Sequence, residues 1–112
     1  PLVHFLDTHD KRLIERIFQS QSSHIYIYGA GQKGRRLARY LQTEAPEISL
    51  VGMIDRFPQM TVFNGVQVSS TLPRLKDEVI VVASFAYADE IVEQLMQSSV
   101  PLNKIIAICN RV

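Results

Sequence analysis

Apolar residues recur at helical spacing in three stretches of the chain, which predicts three amphipathic helices. Their apolar stripes are Leu13, Ile14, Ile17 and Phe18, then Gly34, Leu37, Ala38 and Leu41, and finally Ala88, Ile91, Val92 and Leu95. The first helix is predicted over residues 8–19, with Asp7 or Thr8 as its cap. The second is predicted to end near residues 43–45, before Pro46, and the third around Ser98.

Short β-branched and aromatic runs between these helices predict strands. They cover residues 25–28, 48–54, 79–83 and 104–108, and a hairpin or short strand is predicted at 61–68, where Asn64-Gly65 signals a tight turn. Residues 79–83 are apolar throughout, which is typical of a parallel strand covered on both faces. The alternation of strands and helices predicts a three-layer α/β fold with a mostly parallel sheet and the strand order 3-2-1-4-5.

The composition is that of an ordinary globular domain. The chain has 112 residues, 46% hydrophobic and 21% charged, and its 12 basic residues nearly balance its 11 acidic ones. This length predicts a single domain over residues 1–112, with a helix and linker over 1–23. The small net charge argues against a nucleic-acid partner, and no apolar run approaches the ~20 residues of a membrane span.

The cysteine and histidine positions exclude two common kinds of site. Cys109 is the one cysteine, so the chain has no internal disulfide and no thiolate cluster, and a cytoplasmic location is predicted. The three histidines lack metal-ligand spacing. Because the chain starts at Pro1 and ends soon after its last predicted strand, we expect it to be part of a longer protein.

The sequence Gly29-Ala30-Gly31-Gln32-Lys33-Gly34 has the G-x-G-x-x-G pattern of a phosphate-binding loop. It follows a predicted strand, opens a predicted helix, and precedes Asp55 by 21 residues, which is the context of a dinucleotide-binding fingerprint. In this interpretation the loop and the first N–H groups of the helix hold phosphate, and Asp55 accepts hydrogen bonds from ribose. The alternative is a glycine turn kept only for packing.

Basic residues are concentrated at the start of the helix that follows this loop. Lys33, Arg35, Arg36 and Arg39 lie there with no early acid, whereas the third helix starts with Asp89 and Glu90. Cations beside a helix N-terminus are unfavourable unless they are solvated or paired with an anion. We therefore expect phosphate at the loop, with Lys33 and Arg36 as additional contacts, and a solvated surface role for Arg35 and Arg39.

Three further residues fall near the predicted ligand. Arg56, next to Asp55, meets either a 2′-phosphate, a terminal phosphate or solvent. Ser84 follows the fourth predicted strand, where it either caps the third helix or also donates to the ligand. Tyr87 either stacks on a base or sugar or packs over the helix start.

Several catalytic patterns are absent from the sequence. Arg35 and Arg36 replace the Lys-Ser/Thr pair of a phosphate-loop NTPase. No tyrosine is followed four residues later by lysine, as short-chain dehydrogenases and sugar epimerases require. No catalytic constellation is visible, and the chain by itself is interpreted as non-catalytic.

Four segments carry a resemblance to known domains: IYGAGxxG at 27–34, VGMID at 51–55, GVQV at 65–68 and VIVVAS at 79–84. Through them residues 25–106 resemble the Rossmann-like nucleotide- or nucleotide-sugar-binding domains of bacterial glycan biosynthesis. These are the N-terminal domains of sugar O-acyltransferases and of nucleoside-diphosphate-sugar dehydratases and related epimerases. Two features depart from this group. Arg56 replaces the second acid usual in the acyltransferases, and the catalytic domains of both groups are absent.

The resemblance implies a domain that binds a nucleotide, NAD(P) or a nucleotide-sugar in polysaccharide or nucleotide-sugar metabolism. Catalysis then lies in a neighbouring domain, of the epimerase, dehydratase or acyltransferase type, and a homodimer is a second kind of partner. Two alternatives stay open. One is an interaction domain without ligand that dimerises through the helix at 13–18, and the other is an NAD(P)-sensing module.

Overall fold

Helices and strands alternate along residues 6–109, the part of the chain that the computed structural model describes. The helices are α1 (Thr8–Ser20), α2 (Gln32–Glu44) and α3 (Ala88–Gln97). The strands are β1 (His24–Tyr28), β2 (Ser49–Ile54), β3 (Val62–Phe63), β4 (Val66–Ser69), β5 (Val79–Val82) and β6 (Ile105–Ile106). A 3₁₀ turn at Leu102–Lys104 leads into β6, which is shorter than the strand predicted at 104–108.

All six strands form one mostly parallel sheet in the order β3-β4-β2-β1-β5-β6. The predicted order 3-2-1-4-5 is wrong because it counts five strands and treats residues 61–68 as one. At Asn64 and Gly65 the backbone φ is 48° and 78°, and this left-handed turn folds β3 back antiparallel onto β4. The hairpin therefore adds an outer strand, whereas the other neighbouring strands pair in parallel.

The sheet is covered on both faces, and α1 and α2 share one of them. Their buried side chains form one core with Val79 and Val81 of β5, while α3 forms the other core with Ile80 and Val82. All four residues of β5 are buried, as its apolar sequence predicts. The result is a three-layer arrangement in which β2 and β1 are the middle strands of the sheet.

Most of the apolar stripe of α1 is buried inside the domain. Leu13, Ile14 and Ile17 are buried in the core, whereas Phe18 is 47% exposed. This leaves little of that stripe for a partner, which disfavours dimerisation through the helix at 13–18. No helix within residues 6–109 has the length and apolar character needed to cross a membrane.

The start of α2 lies against the end of β1 with no room for a side chain between them. Gly34 is buried on the first turn of α2, and a Cβ atom there would overlap the carbonyl oxygen of Gly29. Gly29 itself has a φ of 115°, which L-residues with a side chain rarely adopt. These two glycines fix how the chain leaves the sheet and enters the helix.

We predict that Gly34→Ala strongly destabilises the fold. Alanine favours a helix by up to ~1 kcal/mol, but its methyl group must push backbone against backbone, so the net loss should reach the upper end of the ~1–3 kcal/mol seen for overpacking. Urea unfolding followed by circular dichroism measures this change. The matched control is Gly31→Ala, whose Cβ meets no atom within 4 Å and which should cost no more than about 1 kcal/mol as a poorer helix cap.

Candidate functional site

The glycine loop lies at the carboxyl edge of the sheet, between the ends of two central strands. After β1 the chain passes into α2 on one face, and after the neighbouring β5 it passes into α3 on the other face. The strand ends separate at such a topological switch point, where open α/β sheets bind their ligands. The structure therefore places the loop at the switch point of this sheet.

The N-terminus of α2 is open to solvent and has no cap from a side chain. Gly31 is the N-cap, and no acidic residue lies in the first turn of the helix. Gly31 is exposed, and the space around its Cα holds no atom within 4 Å of an added Cβ. Because the first N–H groups of a helix lack intrahelical acceptors, those at this end of α2 can donate hydrogen bonds to the oxygens of an anion.

Asp55 lies beside the loop, as predicted, and holds it in place. Its Oδ2 accepts a hydrogen bond of 2.8 Å from the N–H of Ala30, and its Oδ1 accepts one of 2.9 Å from the N–H of Phe57. The carboxylate thus ties the end of β2 to the glycine loop. A ribose hydroxyl would have to donate to the lone pairs that these two bonds leave.

Lys33 and Arg36 contact carboxylates of α1, a pairing that the sequence analysis missed. Lys33 Nζ lies 2.9 Å from Asp7 Oδ2 and 3.2 Å from Asp10 Oδ1. The guanidinium of Arg36 lies 2.7 Å from Asp10 Oδ2 and 3.4 Å from Asp7 Oδ2. We call these four residues the ion quartet. The two cations predicted to contact phosphate are therefore already neutralised within the chain.

The two acids of the quartet also cap α1. The carboxylate of Asp7 accepts from the N–H of Asp10, and the carboxylate of Asp10 accepts from the N–H of Asp7, which completes a capping box. Two acids at N-cap and N3 spacing are a signal that sequence analysis can find. Their partners on α2 cannot be found from the sequence in this way, because that pairing depends on how α1 packs beside α2.

The other predicted cations and Ser84 have definite partners. Arg35 Nε donates to the carbonyl oxygen of Gly31 over 3.3 Å, so this cation is beside the loop, although a solvated role was expected for it. The guanidinium of Arg39 lies over the Phe63 ring, and that of Arg56 lies over the ring of Phe57. Ser84 Oγ accepts from the N–H of Tyr87 in the turn before α3, whereas α3 itself has no side-chain cap.

His9 is a buried polar residue that the sequence analysis set aside. It is 8% exposed, its ring packs edge-on against Phe85 with centroids 5.0 Å apart, and neither ring nitrogen has a hydrogen-bond partner. Potential metal-ligand atoms of His9, Asp7 and Asp10 lie within 4.8 Å of one another. Because the quartet already neutralises both carboxylates, a cation would have to displace Lys33, and the cluster is a poor metal site.

The environment shifts two pKa values in this corner. Burial, together with the nearby charge of Lys33, lowers the pKa of His9. Burial acts to raise the pKa of Asp7, but the N–H of Asp10 and the ammonium of Lys33 outweigh it and lower that pKa to about 2. The native structure therefore favours a neutral His9 beside an ionised Asp7.

Residues 21–106 match the family model described as C2185-like, N-terminal. The chain belongs to this family. In this C2185-like domain the matched region contains the glycine loop, Asp55 and Ser84, whereas α1 with Asp7 and Asp10 precedes it. Neither a curated protein nor a solved structure matches the chain. The resemblance to glycan-biosynthesis domains stays a prediction, since the family match does not address it.

The lowered pKa of His9 predicts that the C2185-like domain loses stability at mildly acid pH. A histidine with a depressed pKa in the folded state stabilises the fold above its unfolded pKa of about 6.5, and this contribution falls away as the pH drops below that value. The loss cannot exceed ~1.4 kcal/mol per pH unit for one group. Urea unfolding between pH 7.5 and pH 5 should show it.

The variant His9→Phe should flatten this pH dependence because it removes the buried imidazole and keeps an aromatic ring against Phe85. His24→Gln is the matched control, since it removes a histidine from the exposed start of β1 and leaves His9 in place. Equal pH dependence in wild type and His9→Phe would contradict the assignment.

Proposed function

We propose that this domain binds a nucleotide-type ligand, either a nucleotide, NAD(P) or a nucleotide-sugar, through its glycine loop. The observation that carries the proposal is the uncapped, exposed start of α2 at the switch point between β1 and β5. A helix N-terminus in that position offers several N–H donors and a favourable dipole to phosphate. The loop is also held by contacts within the fold, since Gly34 packs against Gly29 and Asp55 accepts from the N–H of Ala30.

The predicted site residues divide into three roles in this proposal. The phosphates lie against the backbone of the loop, which consists of Gly29, Ala30, Gly31, Gln32, Lys33 and Gly34. Asp55 accepts from a ribose hydroxyl at the end of β2, and the exposed Arg56 lies next to it for a further phosphate. Ser84 follows β5, and its hydroxyl accepts a hydrogen bond from the N–H of Tyr87 in the turn before α3.

The side chains around the loop favour binding over catalysis. In residues 6–109, the ionisable groups nearest the loop are held in the ion quartet or bonded to backbone, as Asp55 and Arg35 are. A general acid or base needs a group free to exchange a proton with substrate. We therefore place the reaction in a neighbouring domain or protein of nucleotide-sugar or polysaccharide metabolism, and the setting in the cytoplasm.

An interaction role is the second candidate, and one observation favours it. Phe57, Phe85 and Tyr87 follow the carboxyl ends of β2 and β5 and are 80%, 61% and 64% exposed. Exposed aromatic rings beside a crevice can contact either a ligand ring or a partner domain. A ligand screen separates the two candidates, and a response to NADH but not NAD would favour the sensing alternative.

The ligand prediction is testable by thermal shift with NAD, NADH, NADP, UDP, UDP-glucose and ADP at millimolar concentration. One ligand class should raise the melting temperature by several degrees, because a ligand at 100 times its Kd stabilises by ~2.7 kcal/mol. No shift with any of them would favour the interaction role.

The variant Gly31→Asp should abolish the shift while the fold persists. Aspartate is a preferred N-cap, Gly31 has the extended φ of −80°, and an added Cβ meets no atom within 4 Å, so the new carboxylate can occupy the N–H groups itself. The control Asn103→Asp adds the same charge in the exposed 3₁₀ turn before β6, at the amino-terminal ends of the strands. This variant should keep the ligand-induced rise in melting temperature. A ligand response in Gly31→Asp equal to that of the wild type would contradict the assignment of the loop.

A further inference from the structure

The ion quartet leaves the candidate phosphate site without a free lysine. Asp7 and Asp10 balance Lys33 and Arg36, and all four distances lie between 2.7 and 3.4 Å. Asp10 is 1% exposed, so this pairing is partly shielded from solvent. Buried ion pairs are screened less than exposed ones. Lys33 and Arg36 of α2 therefore pair with the acids at the start of α1, and an anion at the loop would compete for their charge.

The remaining charges beside the loop also cancel. Arg35 reaches the carbonyl oxygen of Gly31, and Asp55 accepts from the N–H of Ala30. Together with the quartet, these contacts involve three carboxylates and three cations, and the further cation Arg56 lies over the ring of Phe57. A bound anion then gains its stabilisation from backbone N–H groups and the dipole of α2, which are equivalent to about half a positive charge.

We propose that Asp7 and Asp10 determine the specificity of this site by making it select phosphates of low charge. The inference rests on the proposed function and narrows its ligand. A diphosphate diester, as in NAD or a nucleotide-sugar, carries one negative charge on each phosphate. A terminal phosphate, as in ADP or UDP, takes on most of a second charge at neutral pH, and with Lys33 engaged nothing in the quartet compensates it.

Lys33 is the member of the quartet on which this selection depends most. Its side chain is 28% exposed, it lies on the first turn of α2, and it is shared between two carboxylates. Its contact with Asp10 Oδ1 lacks hydrogen-bond geometry, since that oxygen has no hydrogen-bond partner. Removing the charge of Asp7 therefore frees much of the ammonium for an anion at the neighbouring loop.

The test compares ligands that share a base and differ at the phosphate. UDP-glucose is paired with UDP, and ADP-ribose with ADP, and calorimetry gives the Kd of each for wild type and Asp7→Asn. Asparagine caps a helix as well as aspartate does, so α1 should keep its start, which circular dichroism and the melting temperature check. The wild type should prefer the diester of the pair that binds. In Asp7→Asn the ratio of the two Kd values should move about fivefold toward the terminal phosphate, the effect of ~1 kcal/mol from one partly exposed charge.

The control variant Glu15→Gln removes an equal charge from the exposed face of the same helix. It should leave the ratio nearly unchanged, because Lys33 and Arg36 pair with Asp7 and Asp10 and not with Glu15, and solvent screens the exposed charge of Glu15 at the loop. An unchanged ratio in Asp7→Asn, or an equal change in Glu15→Gln, overturns the inference while the proposed function stands. Failure of all four ligands to bind wild type and Asp7→Asn overturns the proposed function, and the inference with it.

Discussion

The contact between Gly34 and the carbonyl group of Gly29 is the constraint on which the candidate site depends. It brings the first turn of α2 against the end of β1, so the chain must reverse within three residues, and Gly29 supplies the positive φ that this needs. Asp55 then holds Ala30 from the neighbouring strand. The loop is fixed at both ends by contacts within the fold, so a ligand would not have to order it.

A second constraint is electrostatic and joins the two helices on one face of the sheet. The first turns of α1 and α2 lie side by side, as the contacts between Asp7 and Lys33 show, and two helix N-termini in contact repel each other. The capping acids of α1 lie between them and neutralise the cations of α2. Burial of Leu13 and Ile17 holds α1 in the core. The ion quartet offsets the repulsion between the two helix N-termini.

The elements that follow from local pattern are those that the sequence predicts well. Helical periodicity places α1, α2 and α3 within a few residues, and Asn64-Gly65 specifies the hairpin. The strand count is wrong because β3 has two residues and no periodic signal of its own. Within the site, glycine spacing predicts the turn, whereas the partners of Lys33 and Arg36 depend on the packing of a helix more than twenty residues away. The burial of His9 depends likewise on Phe85, from a distant loop.

These differences show why the glycines of this loop are a better guide to its chemistry than its charges. A backbone N–H at a helix start has one orientation once the helix is docked, whereas a lysine or arginine side chain can reach several partners. Lys33 can act on α1 or on an anion at the loop, and the two uses compete for one charge. Such a competition is reciprocal. An anion that pairs with Lys33 at the loop weakens the contact of Lys33 with the start of α1, and that contact weakens binding of the anion by the same free energy. Under the proposed function, docking of α1 and binding of an anion at the loop are therefore coupled.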